Sequence, residues 1–212
     1  AIRRQRQMCI RDRGRIEEYI VELSPAIAED KRIPEQMLVD KMTRALTKLQ
    51  RNHNYNSSSS EDTMNDYVRD ILDESYQIKD QTRQGESQKG DDAGEVDIQI
   101  CVDGFPIVMI EALILDSLKK QYLGDHINKV LTKYDPNGCP YAVVVIYATM
   151  ARFDSFYSKF LEYLNQYEFP YEKLSDIYDV PTDYTEYRHA QIILCRSGQN
   201  IRVHFMVAHI NN

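Results

Sequence analysis

The chain has 212 residues, of which 42% are hydrophobic and 28% charged, and its formal net charge is −7. This composition suits one globular domain with a small appendage and argues against wholesale disorder. The negative charge excludes a global basic field for nucleic acid, although a local basic patch can still bind it. No apolar run approaches the roughly 20 residues of a membrane span and no secretory signal is visible, so we expect a cytoplasmic protein with no membrane partner.

The first thirteen residues, AIRRQRQMCIRDR, are basic and lack periodicity. The piece RQMCIRDR is similar to the translation of a sequencing-library adapter, so we expect residues 1–13 to be a non-native leader. Apolar positions at helical spacing then predict helices over 15–24 and 35–51, within an N-terminal helical extension at 14–56. Further domains upstream, such as a sensor or an NTPase, are then expected to be missing.

The polar stretch NHNYNSSSS leads into the segment SSEDTMNDYVRDILDESY, which has the apolar spacing of an amphipathic helix. The last serines of the polar stretch are suited to cap that helix. A polar, glycine-rich loop comes next and contains Arg83, Ser87 and Lys89. Flexible glycines let backbone amides approach an anion, so these three residues are possible substrate-binding groups, and an ordinary solvated loop is an equal alternative.

A β-hairpin follows, because the dipeptide DG at 103–104 separates two strand-like segments, 95–102 and 105–115. The continuous apolar run YAVVVIYA predicts a strand covered on both faces. The remaining elements are predicted by apolar spacing and turn signals; they are helices at 120–134 and 151–167, the strand at 141–148, and strands at 189–196 and 201–210. This order predicts an α/β fold in which helices flank a mixed sheet.

Two acidic residues interrupt the hairpin strands GEVDIQICVDGFPIVMIEALIL, namely Asp97 and Glu111. Burial of an unpaired carboxylate costs several kcal/mol, so two carboxylates on adjacent strands need compensation. Mg²⁺ and Mn²⁺ accept carboxylate oxygens, and one or two such ions can activate water for phosphodiester hydrolysis. The sequence therefore predicts a divalent metal site at Asp97 and Glu111, with a structural ion pair as the alternative.

The segments DQTRQGESQKGDDAGEVDI, PIVMIEALIL and HINKVLTKYDPNG resemble an uncharacterised, defence-associated bacterial branch of the PD-(D/E)XK nuclease superfamily, over about residues 59–212. The resemblance implies a restriction-endonuclease-like sheet and a metal-dependent endonuclease acting on nucleic acid, with DNA as the expected substrate. It places Asp97 and Glu111 at the metal and makes Glu61 the third acidic group. The alternative for Glu61 is simple complementarity to the helix dipole.

The sequence departs from the family pattern at one position. A lysine is expected two residues after the acid of the second strand, but Leu113 stands there and Ile114 follows. Either the lysine has moved elsewhere or catalysis is lost. Lys129 is the first candidate replacement and His126 the second, because α-helical spacing puts both on one face of the predicted helix at 120–134; Lys89 is a third.

Three functions compete at this point. The first is an Mg²⁺-dependent nuclease, serving as an effector domain of an anti-phage or mobile-element system. The second is a catalytically inactive module of the same fold that binds nucleic acid or a protein partner, and the third is a nucleotide-binding regulator that uses the glycine-rich loop.

For His126 and Lys129, the alternative to a catalytic role is a position on a solvated helix face. We expect His204 and His209 to be partly buried structural residues.

Overall fold

The computed structural model describes residues 33–79 and 96–211, nearly all of which belong to one compact unit, Pro34–Asn212. Four α-helices occur in these residues: α1 Glu35–Arg51, α2 Glu61–Asp73, α3 Lys120–Asn128 and α4 Phe153–Gln166. A π-helical turn, Lys129–Lys133, follows α3 directly. The eight strands are β1 Gln77–Lys79, β2 Ile98–Val102, β3 Phe105–Leu115, β4 Tyr141–Ala148, β5 Glu172–Lys173, β6 Tyr178–Val180, β7 Tyr187–Arg196 and β8 Gln199–His209.

The strands form one mixed sheet in the order β1-β2-β3-β4-β8-β7-β5, and β6 also pairs with β7. β4 runs parallel to both of its neighbours, β3 and β8, whereas the other pairs are antiparallel. Every residue of β4 is buried. This strand lies at the centre of the sheet, where parallel pairing and helices on both sides favour a continuous apolar sequence.

Helices cover both faces of the sheet. Side chains alternate along a strand, and the paired residues Glu111, Val144, Phe205 and Ala190 therefore share one face. This α3–α4 face holds the main apolar core, to which α4 contributes Phe153, Phe156 and Phe160. The opposite α1–α2 face carries Tyr147 and Tyr187, whose hydroxyls bond Asn65 of α2 and Thr43 of α1.

The predicted α/β class and the mixed sheet with flanking helices are confirmed. The restriction-endonuclease-like topology stays a prediction, and so do the domain limits 1–13, 14–56 and 59–212. Within the described residues, α1 packs against α2 and β8 in the same compact unit as the sheet. The predicted helix at 15–24 and the residues of the glycine-rich loop lie outside the described residues.

Several predicted elements needed correction. The first hairpin strand begins at Ile98 rather than at 95, since Asp97 is already outside the β-ladder. The helix predicted over 120–134 is α-helical only to Asn128 and continues as a π turn. The loop after α2 begins with β1, and the segment between α4 and β7 contains β5 and β6. These three strands have two or three residues each, too few for a hydrophobic period.

Candidate metal and catalytic site

The candidate site lies where β3 extends beyond β2. The last pair of their ladder is Ile98 with Ile110, so the next positions along the two strands are Asp97 and Glu111. Two carboxylates then accept hydrogen bonds from the uncovered edge of β3. Asp97 Oδ2 accepts the amide of Ala112 at 2.7 Å, and Glu61 Oε2 accepts the amide of Ile114 at 3.1 Å.

The start of α2 brings Glu61 to this edge. The side chain of Ser60 caps the helix by accepting the amide of Thr63, which makes Glu61 the first helical residue. Ser and the acidic residues that follow it are favoured at a helix N-terminus for this reason. The capping serine and Glu61 are both readable in the sequence, whereas the reach of Glu61 to β3 depends on tertiary packing.

Glu111 is the most deeply buried acid of the group. It is 3% exposed, and its Oε1 lies 2.7 Å from Nδ1 of His126, which is itself 7% exposed. Its second oxygen, Oε2, is buried and has no hydrogen-bond partner among the described residues. A buried carboxylate oxygen without a partner carries a desolvation cost, and a bound cation is one means of offsetting it.

Burial and neighbouring negative charge raise the pKa of two of these acids, Asp97 and Glu61. Burial is the largest cause that raises the pKa of Asp97, to about 7, and the charge of Glu111 is the second; the Ala112 amide opposes both. Burial also raises the pKa of Glu61, against the hydrogen bond from Ile114 and the charge of His126. Nearby negative charge and low solvation both favour the protonated acid. Asp97, Glu61 and Glu111 therefore form one electrostatically coupled group.

Tyrosines surround this acidic group. The ring of Tyr122 lies edge-on to His126, with ring centroids 4.4 Å apart. Burial raises the pKa of Tyr147 well above its usual value and that of Tyr134 to about 12, and the charge of Asp97 adds to both. The hydroxyl of Tyr147 donates to Asn65 at 2.8 Å. Tyr147 and Asn65 were not singled out from the sequence; a tyrosine that follows five aliphatic residues of the central strand was the available signal.

The predicted lysine replacements are less well placed. The expected lysine position, Leu113, is fully buried in the core of the α3–α4 face. Lys129 is half-buried at the start of the π turn, and its ammonium makes no hydrogen bond or ion pair with a described residue. His126 instead contacts the acidic group directly. Arg83, Ser87 and Lys89 lie outside the described residues.

The donor set suits a hard cation, although its side chains do not converge on one point. Across residues 33–79 and 96–211, no three His, Cys, Asp or Glu side chains are grouped as ligands of one metal ion. Asp97, Glu61 and Glu111 nevertheless supply carboxylate oxygens, the type that Mg²⁺ and Mn²⁺ prefer. Because Glu111 Oε2 is without a partner, the chemistry of the residues fits the predicted ion.

The other singled-out histidines lie away from this site. His204 and His209 are both buried, at 0% and 5% exposure. Nδ1 of His204 lies 3.0 Å from Nε2 of His189 on β7. His209 contacts Glu186 through Nδ1, and its Nε2 lies 2.7 Å from the carbonyl oxygen of Met150.

Comparisons with protein-family models, curated proteins and solved structures give no match. The superfamily assignment therefore depends on the resemblance of the motifs alone. No helix in the described parts of the chain is both long and apolar enough to cross a membrane.

Proposed function

We propose that the protein is an Mg²⁺- or Mn²⁺-dependent phosphodiester hydrolase, with Asp97, Glu111 and Glu61 as the metal ligands. The observation that carries this proposal is the buried oxygen Oε2 of Glu111, which has no hydrogen-bond partner among the described residues and lies near the carboxylates of Asp97 and Glu61. A bound ion would activate water and stabilise the leaving oxygen of a phosphodiester. The resemblance of the motifs supports DNA as substrate, a role as a bacterial defence effector in the cytoplasm, and an upstream sensor or NTPase domain.

One oxygen of each acid is available for such an ion. Asp97 Oδ2 and Glu61 Oε2 hold backbone amides, which leaves Asp97 Oδ1 and Glu61 Oε1. The two amides fix the direction of the carboxylates and serve as outer supports of the proposed ligands. Glu111 contributes Oε2, while His126 holds its other oxygen. Ligand charge is thus concentrated at the β3 edge, beside the imidazole of His126.

His126 is the proposed proton-transfer group. An ionised Glu111 accepts a hydrogen bond from Nδ1–H of His126, which in the neutral ring leaves Nε2 unprotonated. An imidazole held in one tautomer by a carboxylate can take a proton from water through its second nitrogen. This arrangement gives His126 the role that the family assigns to the lysine replaced by Leu113. Lys129 then has the lesser role of attracting a substrate phosphate.

A catalytically inactive module that binds nucleic acid or a protein partner is the second candidate. It is favoured by the two hydrogen bonds that Asp97 and Glu61 make to the edge of β3, because these give both acids a structural function. The full burial of Leu113 favours it as well, since no lysine can occupy that position without disturbing the core.

Cleavage of supercoiled plasmid DNA by the full chain in Mg²⁺ or Mn²⁺ tests the two candidates. We expect nicking by the wild type and none by Asp97→Ala or Glu111→Ala, because each change removes a ligand charge. Lys129→Ala should lower the rate less than either. Asp73→Ala, at the opposite end of α2 from Glu61, is the matched control and should cleave normally.

Two results would contradict the nuclease proposal. Cleavage by Glu111→Ala at the wild-type rate would place the activity elsewhere or assign it to a contaminant. Absence of cleavage of any DNA or RNA by wild type, together with retained DNA binding in fluorescence anisotropy, would favour the inactive module instead.

A further inference from the structure

A second polar site lies on the α1–α2 face, apart from the carboxylate group. It is a cavity of about 660 Å³ between α1 and the segment that joins β6 to β7. Its polar lining includes Glu35 and Asp40 of α1, Asp183 of the connecting segment, and His189 and Gln191 of β7. A volume of this size suits a small molecule, and several convergent polar groups are typical of a binding site.

The lining is negatively charged. Three carboxylates, those of Glu35, Asp40 and Asp183, border the cavity, and no Lys or Arg belongs to its lining in the described part of the chain. Glu35 Oε2 is paired with the guanidinium of Arg202 at 2.9 Å, whereas Asp40 and Asp183 have no cationic partner among the described residues. Within the described residues, Asp40 accepts a hydrogen bond from Gln36. The cavity therefore favours a cationic ligand over a neutral or anionic one.

A buried histidine of the lining, His189, contacts a second buried histidine, His204, which lies behind it. His189 borders the cavity although it is only 2% exposed, and its Nε2 shares a hydrogen bond with Nδ1 of His204 at 3.0 Å. His204 is fully buried, and its Nε2 has no hydrogen-bond partner among the described residues. The nearest carboxylate to that nitrogen is Glu35, whose Oε1 is 3.6 Å away.

Both imidazoles are neutral at pH 7. Burial lowers the pKa of His189 to about 4, and burial followed by the charges of His189 and Arg202 lowers that of His204 to about 3. Only one of the two rings can donate the hydrogen bond between them. If His189 donates, Nε2 of His204 carries a proton and faces the Glu35 carboxylate, whereas the reverse places a lone pair against that charge. Electrostatics favours the first arrangement, which leaves Nδ1 of His189 as an acceptor.

We propose that this cavity binds a small organic cation, an amine or guanidine, whose N–H groups donate to Nδ1 of His189 and to the carboxylates of Asp40 and Asp183. Charge-assisted hydrogen bonds of this kind are stronger than neutral ones and give the site its selectivity. The hydrogen bond between His189 and His204 leaves Nδ1 of His189 as the acceptor. The carboxylate of Glu35 favours the tautomer in which Nε2 of His204 is protonated. This proposal does not depend on the nuclease function of the carboxylate site.

Isothermal titration calorimetry with agmatine and spermidine tests the proposal on the full chain. We expect saturable binding of at least one of them that weakens as salt is added, and none of acetate or glycerol at the same concentration. Asp40→Asn/Asp183→Asn should weaken binding by about tenfold or more, because two attractive charges are lost. Asp176→Asn, an exposed change outside the lining, is the matched control and should bind as wild type does.

His189→Asn should also weaken binding by about tenfold or more. If this buried change prevents folding, as circular dichroism would show, the Asp40/Asp183 variant alone decides, because Asp40 and Asp183 are exposed. Absence of agmatine and spermidine binding at concentrations up to about 10 mM would overturn the proposal. Equal binding by wild type and the Asp40/Asp183 variant would overturn it as well.

Discussion

In the described part of the chain, each face of the sheet buries one polar side-chain atom that has no hydrogen-bond partner. On the α3–α4 face this atom is Oε2 of Glu111, and on the α1–α2 face it is Nε2 of His204. No other fully buried side-chain nitrogen or oxygen of the described residues shares this condition. Such groups are rare in folded proteins and are costly, so each calls for a physical reason.

The chemistry of the two places is opposite. Glu111 belongs to a group of carboxylates whose negative charges raise the pKa of Asp97, and a cation bound there would relieve them. His204 belongs to a pair of imidazoles whose burial lowers both pKa values, so that the pair is neutral at pH 7. One face thus concentrates charge that a metal ion can neutralise, while the other keeps neutral acceptors beside an acidic cavity. Variants on each face should separate these properties.

The largest expected effect is on catalysis at the α3–α4 face. His126→Gln should lower metal-dependent DNA cleavage by about 10²- to 10⁴-fold, since general acid–base groups contribute on that scale. Mn²⁺ affinity should change little, because the three proposed carboxylate ligands are retained. Single-turnover cleavage and Mn²⁺ calorimetry measure the two quantities, and His53→Gln, an exposed change in the linker before α2, is the control. Cleavage by His126→Gln at the wild-type rate would show that His126 has a packing role and no catalytic one.

A lysine at position 113, where the superfamily pattern has one, should damage the fold. Leu113→Lys places an ammonium in the apolar core and should lower the free energy of unfolding by about 3 kcal/mol or more. Urea unfolding measures this, and Ser117→Lys, at an exposed position shortly after β3, should change it by less than about 0.5 kcal/mol. A stable Leu113→Lys protein with faster cleavage would show that this position accepts a catalytic lysine.

On the α1–α2 face, protonation of the buried histidines at low pH should lower the free energy of unfolding. The pKa values of His189 and His204 are lowered from 6.5 to about 4 and about 3. The unfolded chain therefore binds more protons, and this contribution to stability is complete above about pH 6.5 and is lost as the pH falls towards 3. His204→Asn should reduce the loss between pH 6.5 and pH 4 by about 1–2 kcal/mol.

Urea unfolding at several pH values checks this result. The comparison is the change of stability with pH, not its absolute value, because a substitution at a buried site alters packing. Arg202, Glu35 and Asp179 are the charged groups that act on the pair, and they remain in the variant. An unchanged pH profile in His204→Asn would mean that the pair is not the acid-sensitive element.

The carboxylate site should respond to pH in the opposite direction. The pKa of Asp97 is raised from 3.8 to about 7. Between pH 3.8 and pH 7 the folded state therefore binds a proton that the unfolded chain has released. Its contribution is present below about pH 4 and is lost as the pH rises through 7. Without metal, Asp97→Asn should therefore be more stable than wild type by about 1–2 kcal/mol at pH 8, and equal to it near pH 4.

Thermal and urea unfolding at pH 4 and pH 8 measure this effect. The asparagine keeps an oxygen for the Ala112 amide, so the hydrogen bond to β3 is preserved. A lower stability of Asp97→Asn at pH 8 would contradict the proposed repulsion among Asp97, Glu111 and Glu61.

Much of this organisation was readable in the sequence, for identifiable reasons. Long elements with a clear period, such as β4 and α1, appear close to their predicted limits because burial on one or both faces dictates their pattern. The hairpin of β2 and β3 followed from its DG turn, whose residues both have positive φ. Asp97 and Glu111 attracted attention because acids are rare in apolar strands.

Other features depend on distant contacts and leave little local trace. The contact of Glu61 with Ile114 joins residues 53 positions apart, and the His189–His204 pair forms only when β7 meets β8. The π turn after α3 was predicted as ordinary helix, since its residues have the same apolar spacing. The cavity beside α1 was not predicted, because its lining comes from segments without a shared motif.

A titration of the metal-free protein with Mn²⁺ at pH 8, followed by calorimetry, tests the central claim most directly. Wild type should bind Mn²⁺ in a saturable manner, and Glu111→Gln, which keeps the size of the side chain but removes its charge, should bind about tenfold more weakly or worse. Asp73→Asn, at the far end of α2, should bind as wild type does. Absence of binding by wild type, or equal binding by Glu111→Gln, would contradict a metal site at the edge of β3.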